Sequence, residues 1–111
     1  MIHSMKLQHA PFTAMLWGKK RIEMRLYDEK RSQIKAGDYI AFTDVETEEM
    51  LVCLVVNMHR YANFEELYAN HSKESIGYGE DEAADPSDML VYYPREQIEK
   101  YGVVGIEVEL I

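Results

Sequence analysis

Cysteine is almost absent from this chain: Cys53 is the only one in 111 residues. One thiol cannot form a disulfide within the chain, so the sequence excludes a small fold held together by disulfide bridges. Cys53 lies in the apolar run LVCLVV, where a thiol usually behaves as a small core side chain. The four histidines have no metal-ligand spacing and no cysteine nearby, so we expect no metal.

Several other signals are missing. No apolar stretch approaches about 20 residues and no charged-then-apolar leader is present, so we expect no membrane partner and a cytoplasmic location. The absence of a phosphate-cradling glycine loop, a dinucleotide fingerprint and a nucleophile elbow argues against triphosphate hydrolysis, and we expect no cofactor. Apolar residues make up 47% and charged residues 29%, which is typical of a globular protein, and the length fits one domain over 1–111.

Basic residues are scarce and unevenly distributed. The formal net charge is -8, from 12 lysines and arginines against 20 acids. Between positions 19 and 35 the balance is reversed, with three acids and seven bases: Lys19, Lys20, Arg21, Arg25, Lys30, Arg31 and Lys35. That segment is +4 and the remainder is therefore -12. Since phosphate contacts require cations, the charge argues against long duplexes but allows a small cationic cleft for a single strand or nucleoside.

Apolar periodicity predicts the order strand, helix, three strands, two helices, strand. The predicted elements are a strand over 2–9, a helix from Pro11 to Gly18, a strand over 22–26, a strand over 39–42 after a Gly37–Asp38 turn, a central strand over 50–61 buried on both faces, a helix from the Asn63/Glu66 capping box to about His71, a helix from Pro94 to Gly102, and a strand over 104–110. Short strands between turns favour a small curled sheet or barrel of the α+β class over a doubly wound sheet. Trp17 and the methionines are expected in or near the core.

The stretch GKKRIEMRL, residues 18–26, has a period of two. Its apolar residues face one side of a strand, while Arg21, Glu23 and Arg25 face the other. One interpretation is a solvent-exposed face with cross-strand ion pairs. The other is a cleft in which the cations hold a phosphate or base carbonyl while Glu23 accepts from an exocyclic amine.

Four stretches of the sequence resemble the ASCH domain (activating signal cointegrator homology) family of the PUA-like superfamily. They are PFTAMLWGKKRIEMRL, IKAGDYIAF, YANFEEL and YGVVGIEVEL. The resemblance covers most of the chain in the family's order. It implies a small PUA-like mixed β-barrel of five or six strands with three short helices, and a cleft beside the turn from Gly18 to Arg25. It also implies binding of RNA or a nucleoside in RNA metabolism.

An enzymatic alternative follows from the same resemblance. Some bacterial family members are amidohydrolases that deacetylate N4-acetylcytidine with a lysine, a threonine and a glutamate. The lysine matches Lys20, the threonine falls on Glu23, and Glu74 is the nearest candidate for the glutamate. A carboxylate cannot replace a hydroxyl nucleophile without changing the intermediate, so the catalytic set Lys20, Glu23 and Glu74 departs from the family pattern.

Further residues are candidates for ligand binding. Lys19, Arg21 and Arg25 would add charge beside Lys20, and the basic residues at 30, 31 and 35 would extend the positive surface along a backbone. Tyr92 and Tyr93 precede Pro94 and are held extended, so one is expected to face a cleft while the other packs inward. The expected partner is single-stranded RNA or a modified nucleoside.

The segment GYGEDEAADPSD, residues 77–88, carries five acids and no base, so we expect an exposed loop. It is either a solvated connection or a lid whose acids compete with phosphate for a cationic cleft. A function from a different class also stays open, namely a protein-interaction module whose acidic surface meets a basic partner. The sequence does not predict the oligomeric state.

Overall fold

The computed structural model describes residues 1–111 and contains one five-stranded sheet that curls into a half-barrel. Its strands are β1 (Ile2–Leu7), β2 (Ile22–Leu26), β3 (Tyr39–Asp44), β4 (Met50–Tyr61) and β5 (Val103–Leu110), and its helices are α1 (His9–Leu16), α2 (Phe64–Asn70) and α3 (Arg95–Tyr101). Two 3₁₀ turns span Arg31–Gln33 and Pro86–Val91. The predicted order of elements and the α+β PUA-like fold are confirmed.

The strand order is β1-β3-β4-β5-β2, with β1 parallel to β3 and every other pair antiparallel. The two edge strands are therefore β1 and β2. An inner core packs α1 against one face of the sheet, and it includes Phe12, Met15, Phe42, Val104 and Ile106. An outer core packs α2 and α3 against the other face, and it includes Ile22, Met24, Phe64, Leu67 and Ile98.

The central strand β4 was predicted to be buried on both faces, and this is wrong. Leu51, Cys53 and Val55 are buried in the inner core, but Val52 and Val56 on the opposite face are exposed. The outer core is built mainly on β2 and β5, so α2 and α3 leave this part of β4 uncovered. Cys53 is fully buried as predicted, and burial raises the pKa of its thiol to about 11.

The expected core position of Trp17 is also wrong, because its side chain is 75% exposed. The helix α1 ends at Leu16, and Trp17 is the capping residue that follows it. The buried stripe of α1 consists of Phe12 and Met15, so Trp17 lies beyond the turn that contacts the core. Met1 and Met50 are exposed as well, whereas Met5, Met15, Met24 and Met89 are buried.

Local capping fixes the start of α2 as predicted. The Asn63 side chain accepts a hydrogen bond from the Glu66 amide at 2.9 Å, and Glu66 accepts in turn from the Ala62 amide at 3.3 Å. The acidic segment after α2 is exposed apart from Tyr78 and Pro86, which are partly buried. It is held in place by Lys73, whose ammonium donates to the carbonyl oxygens of two loop residues at 2.8 and 2.7 Å.

No helix in the structure combines the length and the apolar character that crossing a membrane requires.

A glycine on β5 sets the distance between the sheet and α2. A Cβ atom at Gly105 would lie 2.9 Å from Ile22 Cγ2 and 3.5 Å from Leu67 Cδ1. Because Ile22 is branched at Cβ, its methyl cannot swing away, and we expect Gly105→Ala to lower the free energy of unfolding by about 1–3 kcal/mol. Urea denaturation measures this. In an Ile22→Leu background, which lacks the branched methyl, the same substitution should cost less, and an equal cost would contradict the clash.

Candidate functional site

The two edge strands approach each other on the open side of the half-barrel, and Arg25 crosses the gap between them. Arg25 Nη2 on β2 donates to the carbonyl oxygen of Lys6 on β1 at 2.8 Å. The Leu7 carbonyl points toward β3, because it accepts a hydrogen bond from the Val45 amide at the end of that strand. Successive carbonyls along a strand point in opposite directions, so the Lys6 carbonyl points away from the sheet. We call this gap between β1 and β2 the seam.

Glu23 lies in the seam between two cations. Its Oε1 is 3.1 Å from Lys20 Nζ, and its Oε2 accepts from Arg25 Nε at 2.7 Å. The side chains of Lys20 and Glu23 are only 5% and 8% exposed. Burial acts to raise the pKa of Glu23, but the charges of Lys20 and Arg25 outweigh it and hold that pKa below its ordinary value. The cluster is therefore a buried, charged, ion-paired set.

The direction of these side chains follows from strand pairing. Glu23 lies opposite Ile106 and Arg25 lies opposite Val104, and both partners belong to the inner core. Directly opposed residues in an antiparallel pair share a face, so Glu23 and Arg25 project to the inner side of the sheet. The interpretation of this strand as a solvent-exposed charged face is wrong for Glu23 and Lys20, because both are buried.

The segment 75–77 closes over Lys20. Lys20 Nζ donates to the carbonyl oxygen of Ile76 at 3.2 Å, and the Ser75 carbonyl accepts from the amides of Arg21 and Ile22, both at 2.9 Å. Gly77 has φ 113° and approaches so closely that a Cβ there would lie 3.4 Å from Lys20 Cδ. A side chain at position 77 would be strained by the positive φ, and its Cβ would be in van der Waals contact with Lys20.

The remaining predicted catalytic and cationic residues are more open. Glu74 is exposed, and its carboxylate makes no ion pair with Lys20, although its carbonyl accepts from the Gly77 amide at 3.1 Å. Lys19 and Arg21 are exposed and free of ion pairs. The structure thus joins Lys20, Glu23 and Arg25 directly, and places Glu74 only next to the segment 75–77 that borders them.

Two candidate ligand-binding residues outside the predicted catalytic set, Arg31 and Tyr93, are partly buried. Arg31 pairs with Asp28 at 2.8 Å through Nη1, while its Nε is buried and has no hydrogen-bond partner in the protein. Tyr93 is half-buried and stacks on Phe64 with ring centroids 6.1 Å apart, whereas Tyr92 is exposed. Of the tyrosine pair, Tyr93 is therefore the one that packs inward.

The charges of two arginines act on the pKa of Tyr93. Burial raises the pKa of Tyr93, while Arg25 and Arg31 act to lower it. From the sequence, Arg31 is expected only on an extended positive surface, since nothing in the local pattern reveals that its guanidinium is partly buried and ion-paired. The signal that could have suggested it is Asp28, three residues earlier, which is placed to orient the guanidinium.

The arrangement presents hydrogen-bond donors backed by carboxylates. Arg25 uses Nε and Nη2 within the protein, which leaves Nη1 for a ligand, and Arg31 uses Nη1, which leaves Nη2 as a further donor. Such a set suits an anion or a planar ligand rich in acceptors. Beside the helix-to-strand corner there is also a cavity of about 260 Å³, lined in part by Gly18, Lys20 and Arg21. No group of three or more His, Cys, Asp or Glu side chains is placed to hold a metal ion.

Comparison with known proteins agrees with the fold. The ASCH domain family model matches residues 5–111. The crystal structure of the hypothetical protein PH0355 is similar, with a TM-score of 0.85 and 36% identity over 100% of both chains. The solution NMR structure of protein PF0455 from Pyrococcus furiosus has a TM-score of 0.75 and 36% identity over 100% of this chain and 98% of that one.

No protein of curated function matches the sequence. The family match spans nearly the whole chain, and the fold agrees with solved structures of more than one third identity. The chain belongs to the ASCH domain family.

Proposed function

We propose that this ASCH domain binds single-stranded RNA, or a nucleoside derived from it, at the seam. The observation that carries the proposal is the set of free donors on the carboxylate-paired guanidinium groups of Arg25 and Arg31. We call these the seam donors. Guanidinium groups are the side chains best suited to phosphates and to base acceptors, and family membership supports RNA binding in general.

The carboxylates that pair with the two arginines support this proposal. Glu23 fixes Arg25 and Asp28 fixes Arg31, so both guanidinium groups are held in place before a ligand arrives. Pre-organised side chains lose less conformational entropy on binding. The seam is small and the rest of the chain is acidic, so a single strand or nucleoside suits it better than a duplex.

Deacetylation of N4-acetylcytidine is the second candidate, and the closeness of segment 75–77 to Lys20 is the observation that favours it. In this reaction Lys20, Glu23 and Glu74 would act together. However, Lys20 Nζ is a donor both to Glu23 and to the Ile76 carbonyl, and a nitrogen engaged in this way is a poor nucleophile. Binding is therefore the function that the geometry supports better.

The test compares binding of a short fluorescently labelled single-stranded RNA by wild type and by Arg31→Gln. Arg31→Gln removes a seam donor without touching the Glu23 cluster, and we expect its affinity to fall about tenfold, the scale of about 1.4 kcal/mol. Arg95→Gln, at an exposed arginine of α3, is the matched control and should bind like wild type. Fluorescence anisotropy at two salt concentrations measures both.

The salt series adds an independent criterion. If the seam donors contact phosphates, the logarithm of affinity should fall by about 0.7 per neutralised phosphate as the logarithm of salt rises. No binding at low salt, or an equal loss of affinity in Arg31→Gln and Arg95→Gln, would contradict the proposal.

Parallel incubation with N4-acetylcytidine, followed by assay of free acetate, tests the hydrolase. Failure of both assays would leave the protein-interaction module.

A further inference from the structure

A second recess lies at the far end of β2 from Lys20, and nothing in the seam uses it. It has a volume of about 390 Å³, within the range of small-molecule sites. Its wall includes three tyrosines, one arginine and one glycine: Tyr27, Tyr61, Tyr101, Arg60 and Gly102. We call it the tyrosine cleft.

Backbone and side-chain contacts hold the walls of the tyrosine cleft in place. Gly102 has φ 70°, and a Cβ there would come within 3.0 Å of the Tyr61 carbonyl oxygen, so only glycine lets the two backbone segments meet. The Gly102 carbonyl accepts from the Tyr27 amide at 3.0 Å. The Tyr61 hydroxyl is bonded to His71 Nε2 at 2.8 Å. These contacts fix the walls in advance.

Stacking surfaces line the cleft. The guanidinium carbon of Arg60 lies 3.9 Å from the centroid of the Tyr27 ring, so the charged group rests on the aromatic face. Arg60 is exposed and has no ion pair, which leaves its outer side open to a further planar group. The Lys100 ammonium lies over the Tyr101 ring at 5.1 Å. With cations already on two of the rings, the cleft suits a neutral planar ring better than another cation.

The cleft and the seam lie on the same face of the sheet. Arg25, Val104 and Arg60 stand opposite one another across β2, β5 and β4, so the two arginines share a face about 10 Å apart. Tyr27 follows Arg25 by two residues and packs on the same inner core as Val104. A single strand held at the seam by one nucleotide therefore reaches the cleft with a neighbouring one.

We propose that the tyrosine cleft holds an unpaired nucleobase of the same RNA strand, stacked on Arg60 and Tyr101. The proposal rests on the RNA-binding function proposed for the seam and adds a second subsite to it. Glu66 lines the cleft, and one of its oxygens accepts from the Ala62 amide, so the carboxylate is positioned to accept also from the amino group of a base. The cleft should therefore favour adenine over uracil.

The experiment follows amide signals by two-dimensional NMR while a short adenine oligonucleotide is added. We expect the amides of Ala62 and Gly102 at the cleft to shift together with that of Arg25 at the seam. In Arg60→Gln the cleft signals should stop responding while the seam signal still shifts, and the affinity should fall about tenfold, the scale of one stacked base. Arg95→Gln is the matched control for charge and should leave both responses unchanged.

The outcomes separate the two proposals. If only the seam signal shifts in wild type, the cleft is not a base subsite and the seam function stands. If only the cleft signals shift, the cleft binds a base by itself, so the seam assignment falls and with it the proposal of a second subsite on the same strand. If neither shifts, both fall. A uracil oligonucleotide that binds as tightly as the adenine one, or Glu66→Gln that leaves the preference intact, would overturn the role of Glu66.

Discussion

Glu23→Gln should lower the free energy of unfolding by about 3–5 kcal/mol, because it leaves Lys20 and Arg25 without their shared anion. The side chain of Lys20 is only 5% exposed, so water cannot take over the role of the carboxylate. Small domains have a total stability of about 5–15 kcal/mol, so the loss should be obvious in a urea titration. Glutamine keeps the size and shape, which isolates the charge.

A matched control and the pH dependence test the same cause. Glu109→Gln, at an exposed position of β5, should change stability by less than about 0.5 kcal/mol.

Because the pKa of Glu23 is lower in the folded than in the unfolded chain, its contribution to folding stability is full at pH values above the ordinary carboxyl range. That contribution is lost as the pH falls through the lowered pKa. The gap between wild type and Glu23→Gln should therefore narrow on acidification, and a constant gap or one below about 1 kcal/mol would contradict a buried ion pair.

Leu67→Ala should destabilise the protein by about 2–5 kcal/mol. Leu67 is fully buried in the outer core, where it joins α2 to β5 beside Gly105. Truncation removes the transfer free energy of the side chain and leaves a cavity that the rigid sheet cannot collapse to fill. The change is read from the midpoint of urea or thermal unfolding, followed by circular dichroism.

Two comparison variants show whether packing is the cause. Leu67→Met conserves volume and should cost less than about 1.5 kcal/mol. Glu65→Ala, on the exposed side of the same helix, should cost less than about 1 kcal/mol, through the helix dipole alone. Since alanine is the best helix former, helix propensity cannot explain a loss in either variant, and similar losses in Leu67→Ala and Glu65→Ala would contradict burial as the cause.

The elements themselves could be predicted from local pattern because their signals are local. The alternation of Ile22, Met24 and Leu26 defines β2, and Asn63 with Glu66 defines the start of α2. The exposed face of β4 could not be predicted, because its valines are as apolar as the buried residues beside them. Their exposure depends on where α2 and α3 pack, which is set by long-range contacts.

The candidate site, like the fold, could be predicted only in part from the sequence. The sequence indicated that Lys20, Glu23 and Arg25 belong together, because a family motif and a period of two place them on one corner. It did not indicate that segment 75–77 closes over Lys20, since these residues are far apart in the chain.

By itself the sequence determined the family, the order of strands and helices, and the concentration of cations at one corner, because each of these depends on residues close together in the chain. Only the tertiary structure decided that Glu23 is buried between two cations and that Arg25 bridges the two edges of the sheet. The physical reason is that burial and ion pairing depend on how closely a curled sheet brings its first two strands together. No local sequence pattern predicts the distance between those strands.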